Sequence, residues 1–236
     1  VATVTHRDAF STTTGASTYT SNSFTPAAGD LLCAFVIASD SILGSPTMSD
    51  TQGIGFSLLS GAANEPMFAT GIHRLYFYVS NTTAAASSMT VTFNCTGDQA
   101  TGCIIFVASV AGMTATGLSA VLQSKSQQNQ AAGTPAPAFS AAAQTGNVTL
   151  GCVAQASASA MTPPTSWTEQ ADVTYLTPSI GGEYVSRNSG FTGTTITWGS
   201  ATVGNFASLI VELDTSAGGG GGGGGGAQNL LLMGVG

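Results

Sequence analysis

Residues 30–39, DLLCAFVIAS, and residues 147–157, NVTLGCVAQAS, decide the fold. Each is a Gly-Asp or Gly-Asn turn running into an apolar stretch too short for a packed helix and bounded by Gly and small polar residues. That is the signature of a buried strand. The stretches before them also correspond. Residues 4–30, VTHRDAFSTTTGASTYTSNSFTPAAGD, align without a gap with residues 121–147, VLQSKSQQNQAAGTPAPAFSAAAQTGN. Downstream the order continues. SPTMSDTQGIGFSLL (from Ser45) precedes RLYFYVSNTTAAASSMTVTF, and TPPTSWTEQADV (from Thr162) precedes GGEYVSRNSGFTGTTITW. Tyr78, Val79 and Ser80 answer Tyr184, Val185 and Ser186. Val91, Thr92 and Phe93 answer Ile196, Thr197 and Trp198, and IFVASV (from Ile105) answers LIVELD (from Leu209). The shared order is an internal duplication.

The period inside each half is two. MTVTF and TTITW alternate apolar and hydroxyl side chains, as half-buried strands do, whereas RLYFYVS and CIIFVASV are continuously apolar, as central strands are. PAAGD, DTQGIG, GTPAP, TPPTS and NSGFTG are turn chemistry. The reading is an all-β protein made of two tandem jelly-roll or Ig-like β-sandwich halves, residues 1–114 and 115–215, each with about six or seven strands. The uncharged connection at residues 112–120 is short, so the halves are expected to pack together.

Composition agrees. Of 236 residues only 6% are charged, with Lys+Arg 4 against Asp+Glu 11, a net charge of −7. Helix surfaces draw on Glu, Lys, Arg and Gln, whereas Ser and Thr make up roughly a quarter of this chain. Four basic residues cannot line a phosphate backbone or an anionic membrane, so neither nucleic acid nor membrane is an expected partner. No apolar run reaches a membrane-spanning length. No secretory leader opens the chain, so synthesis in the cytoplasm is expected.

Catalytic chemistry finds little support. His6, in THRDAF, reads as part of a local charge pairing with Arg7 and Asp8, and His73 as a structural residue at a strand start. Most acids fall in turns. Glu169 and Glu183 are the pair that could meet in space for carboxylate chemistry, and Glu212 alternates with apolar residues and reads as solvent-facing. Asp40 and Asp50 lack a calcium-loop pattern. Trp167, Tyr175 and Tyr184 suit core packing better than sugar stacking. Cys33 and Cys152 read as buried strand residues. Cys95 and Cys103 flank a short loop and leave a disulfide open. No enzyme activity, metal or cofactor is expected.

After Asp214 the composition changes. Residues 216–236 form a tail with a glycine run at 218–226, followed by the apolar cluster Leu230, Leu231, Leu232 and Met233. A glycine tract is a flexible leash, and Leu with Met adapts to grooves. These four residues are the expected partner-docking element.

Taken with the stretches 28–39, 46–53, 89–93 and 146–157, the chain resembles accessory structural proteins of tailed bacteriophages. Residues 162–169, TPPTSWTE, depart from the S-D-x-x-G turn of the first half. The resemblance implies a virion protein of the capsid decoration, or cement, type, assembled in the host cytoplasm as a homo-oligomer on major capsid or tail subunits. The alternative reading is a glycan-binding host-recognition module of a phage tail fibre or surface protein.

Overall fold

A computed structural model describes residues 1–38, 46–61, 65–68, 73–95, 100–176 and 179–215. The strands of the first half are β1 (Thr3–Thr12), β2 (Thr18–Thr20), β3 (Leu31–Ala38), β4 (Thr47–Asp50), β5 (Phe56–Leu58), β6 (Met67–Phe68), β7 (His73–Ser80), β8 (Val91–Asn94) and β9 (Cys103–Ala111). A 3-10 turn (Gly117–Ala120) leads into β10 (Val121–Asn129), β11 (Val148–Gln155), β12 (Thr168–Leu176), β13 (Ser179–Arg187) and β14 (Phe206–Leu213). The protein is all-β.

Two large antiparallel sheets carry the fold. One has the order β1-β9-β3-β7-β5, with β6 also on β7, and the other β10-β14-β11-β13-β12. These orders are the same once each strand is replaced by its counterpart in the other half. The ladders fix the correspondence. Val4 and Leu31 both sit opposite Val110, and Val121 and Val148 both sit opposite Leu213. The gapless match of residues 4–30 with 121–147 therefore holds at both ends.

Two downstream matches are off by one residue. Cys33 faces Val79 while Leu150 faces Ser186, so the counterpart of Tyr184 is Phe77, not Tyr78. Likewise Val110 corresponds to Leu213, not Asp214. A one-residue slip turns every side chain to the other face. Tyr78 lies in the outer core of its half, whereas Tyr184 and Phe77 lie between the sheets.

The sheets pack face to face. Leu31, Phe35, Phe77, Phe106 and Val110 from one half meet Leu150, Tyr184, Leu209 and Val211 from the other. Phe35 stacks at 5.5 Å and Phe106 at 6.1 Å from the Tyr184 ring. β1 lies against β12, and β6 against β10 and β14. The opening edge strand of each half thus lies across the far edge of the other, as in an isologous dimer. Gly182 permits this approach. A Cβ there would run into the Ile37 Cδ1 methyl and come within 3.2 Å of Phe106.

Each sheet has a second face, and the halves cover it differently. In the first half a three-stranded sheet, β2-β8-β4, closes a core of Tyr19, Met48, Phe93, Tyr76 and Tyr78. The second half has the same two kinds of segment in the same place but no assigned strands. Residues 135–139 and 194–198 run antiparallel, joined by Trp198 N–H to Pro135 O (3.0 Å), Ile196 N–H to Pro137 O (3.1 Å) and Phe139 N–H to Thr194 O (2.9 Å). Pro135 and Pro137 have no N–H to complete a ladder. The expectation of six or seven strands per half is thereby corrected to β1–β9 in the first and β10–β14 in the second, among the described residues. This coil layer still buries Phe139, Met161, Ile196 and Trp198.

Gly182→Ala is expected to destabilise the protein by about 1–3 kcal/mol, the cost of overpacking a tight core. Urea unfolding measures this; an unchanged midpoint would show that the sheets are not in close contact there.

Candidate functional site

Three clusters of polar side chains are built into the sandwich. The first lies at the end of the first half's large sheet. Arg7 sits at a bulge in β1, where the ladder register shifts between His6 and Asp8. Its guanidinium reaches inward to Asp30 Oδ2 (3.1 Å) and donates to Ser109 Oγ (2.8 Å). Asp30 is buried and also accepts the Ala27 N–H. The expected local pairing of Arg7 with Asp8 is not made. Asp8 instead accepts from Asn22, through the backbone N–H (2.8 Å) and Nδ2 (3.0 Å). Adjacent side chains on a strand point to opposite faces, so a neighbour in sequence is a poor partner. Partial burial lowers the affinity of His6 for a proton, and Asp8 partly restores it.

The second cluster occupies the corresponding end of the other half. Glu212 is fully buried, which corrects its reading as a solvent-facing residue. It accepts from Gln123 Nε2 (2.6 Å), Gln144 N–H (2.8 Å) and Asn147 Nδ2 (2.7 Å). Alternation in LIVEL located its face correctly, but the coil layer covers that face. Asn147 holds Thr215, the last described residue, as well. The Thr215 N–H donates to Asn147 Oδ1 (3.1 Å), and the Thr215 hydroxyl donates to Gly146 O (2.7 Å).

Around this second cluster is a groove of about 450 Å³ lined by Val1, Gly112, Gln144, Asn147, Ser189 and Thr215. It joins the two halves, and Val4 N–H donates to Asn188 Oδ1 (2.9 Å) close by in the chain. Near the last strand, Asp214 N–H donates to Ala120 O (2.9 Å). Leu118 and Leu122 flank that contact in sequence and are 45% and 43% exposed, where most large apolar side chains are buried. Leu122 lies where the β10 ladder shifts register, between Val121 and Gln123. A bulge of this kind re-aims a side chain.

The third cluster is the acidic one anticipated around Glu169 and Glu183. Glu183, on β13, is fully buried and lies opposite Asp172 of β12. Its Oε1 accepts the Trp198 indole N–H at 2.7 Å, and its Oε2 has no hydrogen-bond partner. Burial pushes the Glu183 carboxyl up to about 8, the indole hydrogen bond opposes this, and the neighbouring Glu169 and Asp172 add to it. Asp172 is also raised by burial, while the Met161 N–H (2.9 Å) works against the shift. The indole covers Gly151, where a Cβ would meet Trp198 Cη2 at 3.2 Å. Of the anticipated pair only Glu183 lies under the indole; Glu169 is exposed and opposite Val185, and the acid across from Glu183 is Asp172. Trp198, the residue that holds Glu183, was missed; its place in an alternating TTITW was the available signal.

The remaining candidates are placed as follows. His73 is buried beside Phe68, and burial lowers it to about 4. Asp50 closes its own turn by accepting the N–H groups of Gln52 (2.8 Å), Ile54 (3.2 Å) and Gly55 (2.9 Å). Tyr175 and Tyr184 are core residues, and Trp167 packs edge-on against Phe191. All four cysteines are buried thiols, with burial raising Cys33, Cys103 and Cys152. Asp40, and the docking residues Leu230, Leu231, Leu232 and Met233, lie outside the described residues. Among the described residues no helix is long and apolar enough to cross a membrane.

No family model matches the chain, and neither a curated protein nor a solved structure matches it.

Glu212→Ala would strand the three donors that converge on the carboxylate. A loss of about 3 kcal/mol is expected, the scale for hydrogen bonds to a buried charged group. Chemical denaturation measures it, and Glu212→Gln should recover part of the loss.

Proposed function

We propose that this is a non-enzymatic structural protein of a tailed-bacteriophage virion, of the capsid decoration type. It binds neighbouring virion subunits through a sandwich surface and through its C-terminal segment. The observation that carries the reading is the exposed Leu118 and Leu122 pair, flanking the Ala120 carbonyl that the Asp214 N–H engages near the end of the described chain. From Thr215 the sequence continues into the glycine run 218–226 and then Leu230, Leu231, Leu232 and Met233. A fixed root, a glycine run and an apolar end give two contacts that reinforce each other. Once the body is seated, the tail binds at a raised effective concentration.

The body suits this use. Its two sheets share one apolar core, and its low charge leaves a hydroxyl-rich surface without strong repulsion from a crowded neighbour. Binding the assembled shell but not the unfolded subunit stabilises the shell by mass action. Homo-oligomeric association and assembly in the host cytoplasm belong to the same proposal.

Deletion of residues 227–236 and the double substitution Leu118→Ser, Leu122→Ser test it. Each is expected to leave the thermal midpoint of the body unchanged and to weaken co-sedimentation with capsids at least tenfold. Undiminished binding by both variants would overturn the proposal. Glycan binding by a chain that ignores capsids would replace it with a host-recognition role.

A further inference from the structure

We propose that the Glu183–Trp198 hydrogen bond is a proton-dependent latch that holds the coil layer of the second half onto its sheet. The geometry is specific. Glu183 is fully buried and accepts one hydrogen bond, from the indole N–H of the layer it holds, while Oε2 has no partner. The acids acting on it come from β12, where Asp172 lies directly across and Glu169 lies nearby. Cys152 on β11 is a buried thiol coupled to the same carboxyl, and Ser208 of β14 is uncharged. Residues 135–139, 161–167 and 194–198, which make up the layer, contain no titratable side chain. No lysine or arginine among the described residues acts on Glu183. An ionised carboxylate here would be a buried charge with one hydrogen bond and acidic neighbours, an arrangement that favours the neutral acid.

The layer is the part of the fold best suited to respond. It has no strand ladder; its backbone bonds to itself are those joining 135–139 to 194–198 and the turn from Trp167 N–H to Pro164 O, and Met161 N–H ties it to Asp172. When it lifts, Glu183 meets water and becomes an ordinary carboxylic acid. The closed state keeps its proton up to about pH 8, and the open state loses it near the ordinary carboxylate value. The open state therefore binds fewer protons across that interval. Opening becomes about tenfold more favourable for each pH unit between about 5 and 8, and levels off above.

Amide hydrogen exchange on the full chain measures this. The reporters are the Trp198, Ile196 and Phe139 N–H groups, corrected for the intrinsic pH dependence of exchange. A tenfold rise in opening per pH unit is expected in this interval; Glu183→Gln should lose most of it, keeping only what Asp172, bonded to the layer at Met161 N–H, contributes. Carbon NMR titration of the Glu183 carboxyl in the unaltered chain gives a second reading, with a midpoint near pH 8. The proposal fails if Glu183 titrates in the ordinary carboxylate range. It fails equally if Glu183→Gln keeps the slope, or if β3 amides show the same slope, which would mark whole-molecule unfolding.

Discussion

The packing of one large sheet on the other is the constraint from which the rest follows. Phe35, Phe77, Phe106 and Tyr184 fill the centre, and Gly182 lets the backbones close on them. Such an interior tolerates no extra atoms and few polar ones. The Tyr184 hydroxyl is an exception, buried without a hydrogen-bond partner. Leaving it so costs about 1–3 kcal/mol, which the ring's contacts with two phenylalanines offset. Most other buried polar side chains are directed to the outer faces, so each sheet needs a separate cover.

The two covers show what sequence divergence does within one topology. In the first half, THRDAF and MTVTF supply regular strands and an arginine, and the sheet end is closed by Arg7, Asp30 and Ser109. In the second half the closing residues are Gln123, Asn147 and Glu212. The centre of the second cluster is an acidic side chain, and its partners are neutral amides. A chain with four basic residues can afford few ion pairs, and amide donors satisfy a buried carboxylate without a cation. The prolines of GTPAPAF and TPPTSW then replace β-pairing with coil, leaving side chains such as Trp198 to hold the cover down.

How much of this was legible depends on the kind of signal. The paired turn-and-strand motifs at Asp30 and Asn147 located equivalent strands to the residue, because an apolar strand after a turn has one register. Tyr78 and Tyr184 misled because strand identity survives a one-residue slip while the face does not. Glu212 misled for a different reason. Alternation tells which face a residue is on, but not whether a further layer lies over that face. Arg7 shows the same limit, since its partner Asp30 lies far along the chain, in the turn before β3, held there by the Ala27 N–H. Glu169 and Glu183 were read as the acids able to meet, but the acid across from Glu183 is Asp172 and the indole that defines its chemistry is Trp198.

The sheet edges bear on how such a body can meet a partner. Long, flat edges invite strand addition. Here β1, β10 and β12 are the long edge strands, and each has a register irregularity: between His6 and Asp8, between Val121 and Gln123, and between Glu169 and Ala171. Each also carries charge, from Arg7 and Asp8, from Lys125, and from Glu169 and Asp172. The other edge strands, β2, β4, β5 and β6, span two to four residues each. Backbone pairing with a neighbour is thus opposed at every long edge. Association then falls to side chains, and the irregularity in β10 contributes to it directly. The same register shift that spoils the β10 edge for pairing falls at Leu122, whose side chain remains exposed. One local feature guards against indiscriminate β-association and leaves an apolar contact close to the root of the C-terminal segment.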